Sequence, residues 1–174
     1  MDFVPPQAVL HKYAQVLVNF ALNSGQGIKK GEVVRITVGE SAKPLYVAIR
    51  NQILRSGGHP ITNYLPDGVS REVFHLSSPD QLKFFPQKYL RGIADQVDHS
   101  VSVISEVDKH ELEGIDPQKI MLKNKSIKPY REWLDKKENA GKYTWTLALY
   151  GTPAMAKEAG LSLKQYWDQI IKAC

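Results

Sequence analysis

Cysteine is almost absent. The single Cys174 leaves no internal disulfide to form and no cysteine-based metal cluster, which suits a reducing, cytoplasmic setting. Long apolar runs are missing too: none approaches the roughly 20 residues that cross a bilayer. The segment Met1 to Pro6 carries Asp2 where a signal peptide has basic residues. Neither a membrane span nor a signal peptide is therefore expected. Repeats and low-complexity linkers are also lacking. The charge is not one-sided, at a formal +5 with 24% charged and 43% hydrophobic residues. That composition excludes disorder, and 174 residues fit one domain with a real core. The expectation is a single α/β domain over residues 1–174.

Periodicity supplies the elements. Val9, Tyr13, Leu17, Phe20 and Ala21 recur at helical spacing after Pro5-Pro6, and Asn23-Ser24-Gly25 supplies a stop, so a helix is expected over Gln7 to Asn23. The β-branched run Val33, Val34, Ile36, Thr37, Val38 ends at Gly39 and reads as a buried central strand. Ser41 then reads as the cap of a helix ending at Ser56, with Gly57-Gly58 as the left-handed exit and a strand near Pro60 to Leu65. Strand, helix and strand within some 35 residues make a βαβ unit, whose right-handed crossover requires parallel strands. Two short helices are expected between Ser77 and Gln96, broken at Pro86. Strands are expected at His99 to Ile104 and Tyr143 to Leu149, with helices between them from Asp116-Pro117 to Asn139, interrupted at Lys128-Pro129. Helices after Thr152-Pro153 and from Ser162 to Ala173 close the chain. The class this predicts is a three-layer, Rossmann-like α/β domain with a mostly parallel sheet of four or five strands.

Chemical motifs are sparse. Gly39-Glu40-Ser41-Ala42-Lys43 sits between strand and helix, the setting of a nucleophile elbow, but Lys43 stands where the second glycine belongs, and capping already accounts for Ser41. One glycine there is also too few for a phosphate-binding loop. His110-Glu111 opens like a zinc-binding His-Glu-x-x-His helix, yet Gly114 occupies the second ligand position. Asp95, Asp98, His99, Asp108 and His110 cluster in sequence as a conceivable hard-metal or mixed site, although caps and turns use such residues more often. His11, His59 and His75 are isolated. Gln118 to Lys142 holds eight basic residues against three acids. A solvated helix face explains that better than nucleic acid.

Tyr13-Ala14-Gln15-Val16-Leu17-Val18-Asn19 followed by Gly27-Ile28-Lys29-Lys30-Gly31-Glu32-Val33-Val34 resembles the opening of the thermophilic metallo-aminopeptidases, the aminopeptidase T/S family. Lys43-Pro44-Leu45, Gly57-Gly58-His59-Pro60, Trp145-Thr146-Leu147, Gly151-Thr152-Pro153-Ala154-Met155-Ala156 and Ala159-Gly160-Leu161-Ser162-Leu163 continue the resemblance in order over nearly the whole chain. It implies the N-terminal domain of an exopeptidase whose two divalent metals, cobalt, zinc or magnesium, are held in a C-terminal catalytic domain absent from this sequence. No catalytic, cofactor-binding or metal-binding residue is carried over to this chain. The implied role is a non-catalytic scaffold that packs against the catalytic domain, handles peptides only within the complete enzyme, and in isolation self-associates as a homodimer through the surface left uncovered. The alternatives are a stand-alone α/β ligand-binding module using the Gly39 to Lys43 loop, or a basic nucleic-acid-binding module.

Overall fold

The computed structural model describes residues 3–173; Asp2 and Cys174, used above, lie outside them. The chain divides into two compact units, Met1–Asp67 with Asp98–Val107 and Thr144–Cys174, and Gly68–Val97 with Asp108–Tyr143.

The first unit is built on four strands, β1 (Val33–Gly39), β2 (His59–Leu65), β3 (His99–Ile104) and β4 (Thr144–Leu149). All pair in parallel, in the order β2-β1-β3-β4. The parallel pairing follows the βαβ expectation, and β1 is central as its β-branched run requires. Val34, Ile36 and Val38 of β1 are fully buried, and Val101, Val103 and Ala148 of the neighbouring strands share their face. Onto this face pack helices α1 (Gln7–Asn19), α2 (Lys43–Arg55) and α9 (Leu163–Ala173), which contribute Leu10, Leu17, Leu45, Ile49, Ile53, Trp167 and Ile170 to one core. Fully burying each such side chain contributes roughly 1.5–3 kcal/mol.

Helix α1 departs from expectation in length and in the face it buries. It ends at Asn19, and its buried stripe is Leu10, Tyr13, Ala14, Leu17 and Val18, while Phe20 is 66% exposed. Two stripes one residue apart both satisfy helical spacing, and packing against α2 selects the second.

The amino ends of the strands are held by buried polar groups. His99 is buried; its Nε2 lies 2.8 Å from Glu32 Oε2 and its Nδ1 2.8 Å from Thr144 Oγ1. Asp98 accepts the Val33 N–H at 2.8 Å. Burial acts to raise the Glu32 pKa, but the Lys29 N–H and His99 outweigh it, and the net value lies below the usual 4.5. A depressed carboxylate stabilises the fold above its unfolded pKa and ceases to do so as pH falls through the folded value. Glu32→Gln should therefore lower stability by about 1 kcal/mol at pH 6. The gap from the wild type should close at a pH well below 4.5, where Glu32 itself is neutral. Urea titrations at both pH values measure this, and a pH-independent gap would remove the charge argument.

The second unit is helical: α3 (Ser70–Leu76), α4 (Pro79–Lys83), α5 (Gln87–Gln96), α6 (Pro117–Ser126) and α7 (Lys128–Asn139). Helix α3 has no counterpart among the elements that periodicity predicts. Only Phe74 of its seven residues is buried, so it shows no apolar period. Ser78 forms a capping box with Gln81, as Ser-Pro predicts, and Pro86 separates α4 from α5. Two small cores form, one around Phe74, Leu82 and Ile115 and another around Leu90, Ala94 and Tyr130.

Part of the basic stretch is structural. Lys137 Nζ donates to the carbonyls of Ala94, Asp95 and Val97 at the end of α5, and Lys119 Nζ to that of Phe74. Both complete helix ends that would otherwise present bare carbonyls. The first unit also contains the short helix α8 (Pro153–Glu158), capped by the Thr152 hydroxyl.

Candidate functional site

In an open parallel sheet, ligands lie outside the carboxyl ends of the strands where the strand order reverses. Here that point falls between β1 and β3. Three loops of the first unit surround it: Gly39 to Ser41 after β1, Pro66-Asp67 after β2 and Ser105-Glu106 after β3.

Their side chains bond to one another. The Ser41 N–H donates to Asp67 Oδ2 at 2.8 Å, and the Ser41 hydroxyl to the Ser105 carbonyl at 3.1 Å. Ser41 is thus not the side-chain cap of α2, as its position suggested; α2 begins at Lys43 after a 3-10 turn, and Ala42 precedes it. The Thr152 hydroxyl donates to the Glu106 carbonyl and accepts the Met155 N–H, fixing the loop after β4 to that after β3. The Tyr64 hydroxyl donates to the Glu40 carbonyl at 3.2 Å. The loops after all four strands are therefore tied by side-chain to main-chain bonds.

Gly39 leaves room for this packing. A Cβ there would sit 2.7 Å from Ser105 Oγ and 2.9 Å from Asp67 Oδ1. At the loop after β4, the Gly151 carbonyl accepts the Trp167 indole N–H at 3.1 Å, and the Tyr150 and Trp167 rings meet edge to face at 5.0 Å. Burial raises the Tyr150 pKa.

The crevice is acidic. Partial burial raises the Tyr64 pKa, and the negative charges of Glu40 and Asp67 raise it further. Asp67 accepts the Ser41 N–H in the turn that leads into α2, near where a phosphate-binding fold places its ligand. A carboxylate of the chain thus takes an N–H that a phosphate-binding loop would offer to its ligand, and Glu40 and Glu106 stand in the adjoining loops. Nor is it an elbow: the Ser41 hydroxyl is committed to a carbonyl, and Ser41 is not among the residues with positive φ. Asp67→Ala should cost about 1–2 kcal/mol, because it leaves the Ser41 N–H without its acceptor. Asp67→Asn should cost less and still lower the Tyr64 pKa, which NMR titration of the phenol reads. An unchanged Tyr64 titration in both variants would contradict the acidic field.

The other sequence candidates do not converge. Asp98 bonds the Val33 N–H and His99 bonds Glu32 and Thr144, at the amino ends of the strands. In the helical unit Asp95 pairs with Arg91 at 3.0 Å, Asp108 accepts the His110 N–H at 2.8 Å, and the His110 ring lies 3.3 Å from Glu113. Glu111 accepts the Ser70 N–H, and Gly114 has a φ of +78° that ends any helical continuation. Among the described residues no three His, Cys, Asp or Glu side chains gather as a metal would require. These residues do not fit the paired metals that the family resemblance implies, which it places outside this chain. No local pattern signals the bonds of Ser41 to Asp67 and Ser105, which lie 26 and 64 positions away from it.

The profile of the thermophilic metalloproteases matches residues 7–174. Among solved structures, AmpT from Thermus thermophilus superposes with a TM-score of 0.76 at 20% identity, over 96% of this chain and 42% of its own. At that identity the likeness shows the fold, an all-parallel sheet flanked by helices of the three-layer, Rossmann-like kind. The chain thus spans less than half the length of AmpT. An ABC-type branched-chain amino acid transporter from Rhodopseudomonas palustris aligns over 92% of this chain and 39% of its own, at 13% identity with a TM-score of 0.39, too low to carry an argument. No curated protein matches the sequence.

Proposed function

Because the chain belongs to the thermophilic metalloprotease family, we propose that it is the N-terminal, non-catalytic scaffold of a metal-dependent aminopeptidase that removes N-terminal residues from peptides. The observation that carries this reading is the family match across residues 7–174, in a chain that spans 42% of AmpT. Two divalent metals, cobalt, zinc or magnesium, held in a C-terminal catalytic domain, would polarise the scissile carbonyl and generate hydroxide near neutral pH. The part of this chain is architectural: a rigid α/β layer that packs against the catalytic domain and walls its cleft. The bonded strand-end loops support it, since in the crevice that binds ligands in related topologies the Ser41 N–H and hydroxyl are taken up by Asp67 and Ser105. The same bonds speak against the stand-alone ligand-binding alternative.

The setting we propose is cytoplasmic, and no described helix is long and apolar enough to cross a membrane. Homodimerisation of the isolated chain belongs to the same reading.

The test is release of leucine from a chromogenic amide, with cobalt, zinc or magnesium, by this chain alone and mixed with a C-terminal domain of the family. No turnover alone and turnover with the companion is the expected pair of results. Metal-dependent turnover by this chain alone would overturn the scaffold role.

A further inference from the structure

The helical unit carries a groove that the scaffold reading does not use. It lies where α6 meets α7 and has a volume of about 530 Å³. Pro117, Ile120 and Met121 form its apolar floor, and Lys125, Lys128 and Arg131 stand around it. Met121 is 51% exposed, a large apolar side chain held open on a polar surface.

The groove exists because Lys128-Pro129 breaks one helix into two. Ile127 ends α6 and precedes α7, so basic residues from both helices reach the same depression. Lys128 is partly neutralised by Glu132 at 3.6 Å. Lys125 and Arg131 have no carboxylate partner among the described residues.

We propose that this groove binds a short acidic peptide segment bearing one aliphatic side chain. The aliphatic group fills the space over Ile120 and Met121 and is removed from water there. The carboxylates meet Lys125 and Arg131, the latter able to hold a carboxylate through two parallel N–H bonds. Asn124, which also lines the groove, offers both an amide donor and an amide acceptor, the pair that a peptide main chain requires. Nucleic acid suits the site less well. None of the described residues that line the groove is aromatic, so the groove itself offers no ring on which a base would stack. The inference rests on the helical unit alone and stands or falls independently of the aminopeptidase reading.

Anisotropy of a fluorescein-labelled peptide of glutamates and aspartates around one leucine, titrated with the full chain, tests it. Saturable binding is expected, weakened about tenfold by Lys125→Glu with Arg131→Glu and weakened again by added salt. Met121→Asp and a leucine-to-serine peptide should each reduce binding several-fold. Circular dichroism verifies that the variants, all altered at exposed positions, remain folded. Three results would each overturn the proposal: no saturable binding, equal binding of the leucine and serine peptides, or tighter binding of an RNA oligomer of the same charge.

Discussion

Trp167→Ala should destabilise the first unit by about 4 kcal/mol, the largest single effect expected for this protein. Trp167 has no exposed surface and is the largest fully buried side chain in the structure. Its truncation removes a bicyclic ring from a core that also holds Tyr150, Leu17 and Ile170. The cavity that remains is walled by side chains from several elements of that core, which puts the cost in the upper half of the range for aromatic truncation. A second loss adds to the first: the Gly151 carbonyl surrenders the indole N–H it accepts at 3.1 Å. Trp167→Phe separates the two contributions, since it keeps most of the ring and loses the donor; a cost of about 1–2 kcal/mol is expected. Urea unfolding followed by circular dichroism gives both numbers. Equal costs for the two variants would assign the whole effect to the hydrogen bond and none to packing.

Gly27→Ala should cost about 3 kcal/mol, a large penalty for one methyl group. Gly27 has a φ of +70°, and a Cβ there would lie 2.5 Å from the Asn19 carbonyl oxygen and 2.6 Å from the Asn19 Cα. Those are main-chain atoms at the end of α1, so no side-chain rotation relieves the clash. Residue 27 must approach this closely because its N–H bonds the Leu22 carbonyl and the next N–H bonds that of Val18, returning the chain from α1 toward β1. Gly31→Ala is the internal comparison. It shares a positive φ of +88°, but nothing lies within 4 Å of its Cβ position. Its cost should be limited to backbone strain, about 1 kcal/mol. Similar losses at both glycines would mean that left-handed geometry accounts for the whole effect and the steric contact for none.

These two positions also mark what sequence reveals and what it withholds. The strands are legible because β-branched residues crowd them: His99–Ile104 is found where its alternation places it, and β1 runs into Gly39 as its composition requires. Helix breaks at Pro86 and Pro129 are equally local, since proline acts through its own ring and its neighbour's backbone. The buried face of α1 is not local. Val9 and Leu10 begin two stripes of nearly equal quality, and only the presence of α2 on one side decides between them. The strand-end bonds are less legible still. Ser41, Asp67 and Ser105 look individually like a cap, a turn residue and a loop residue, and nothing in their spacing says that three successive loops meet. Helix α3 escaped for the opposite reason: Val73 and Leu76 are apolar but exposed, so the segment lacks the periodicity that marks a packed helix.

The way the chain threads its two units sets an order of assembly during synthesis. β1 and β2 are neighbours in sequence and in the sheet, so the β1-α2-β2 half can form while the rest is still being translated. β3 must then find β1 across an intervening helical segment, and β4 must wait for a second one. The first of those segments, Gly68–Val97, emerges well before Asp108–Tyr143, with which it forms its unit. Until then Phe74, Leu82 and Leu90 have no core to enter. At translation rates of about 5–20 residues per second, that interval lasts on the order of seconds, ample for a molecular chaperone to engage.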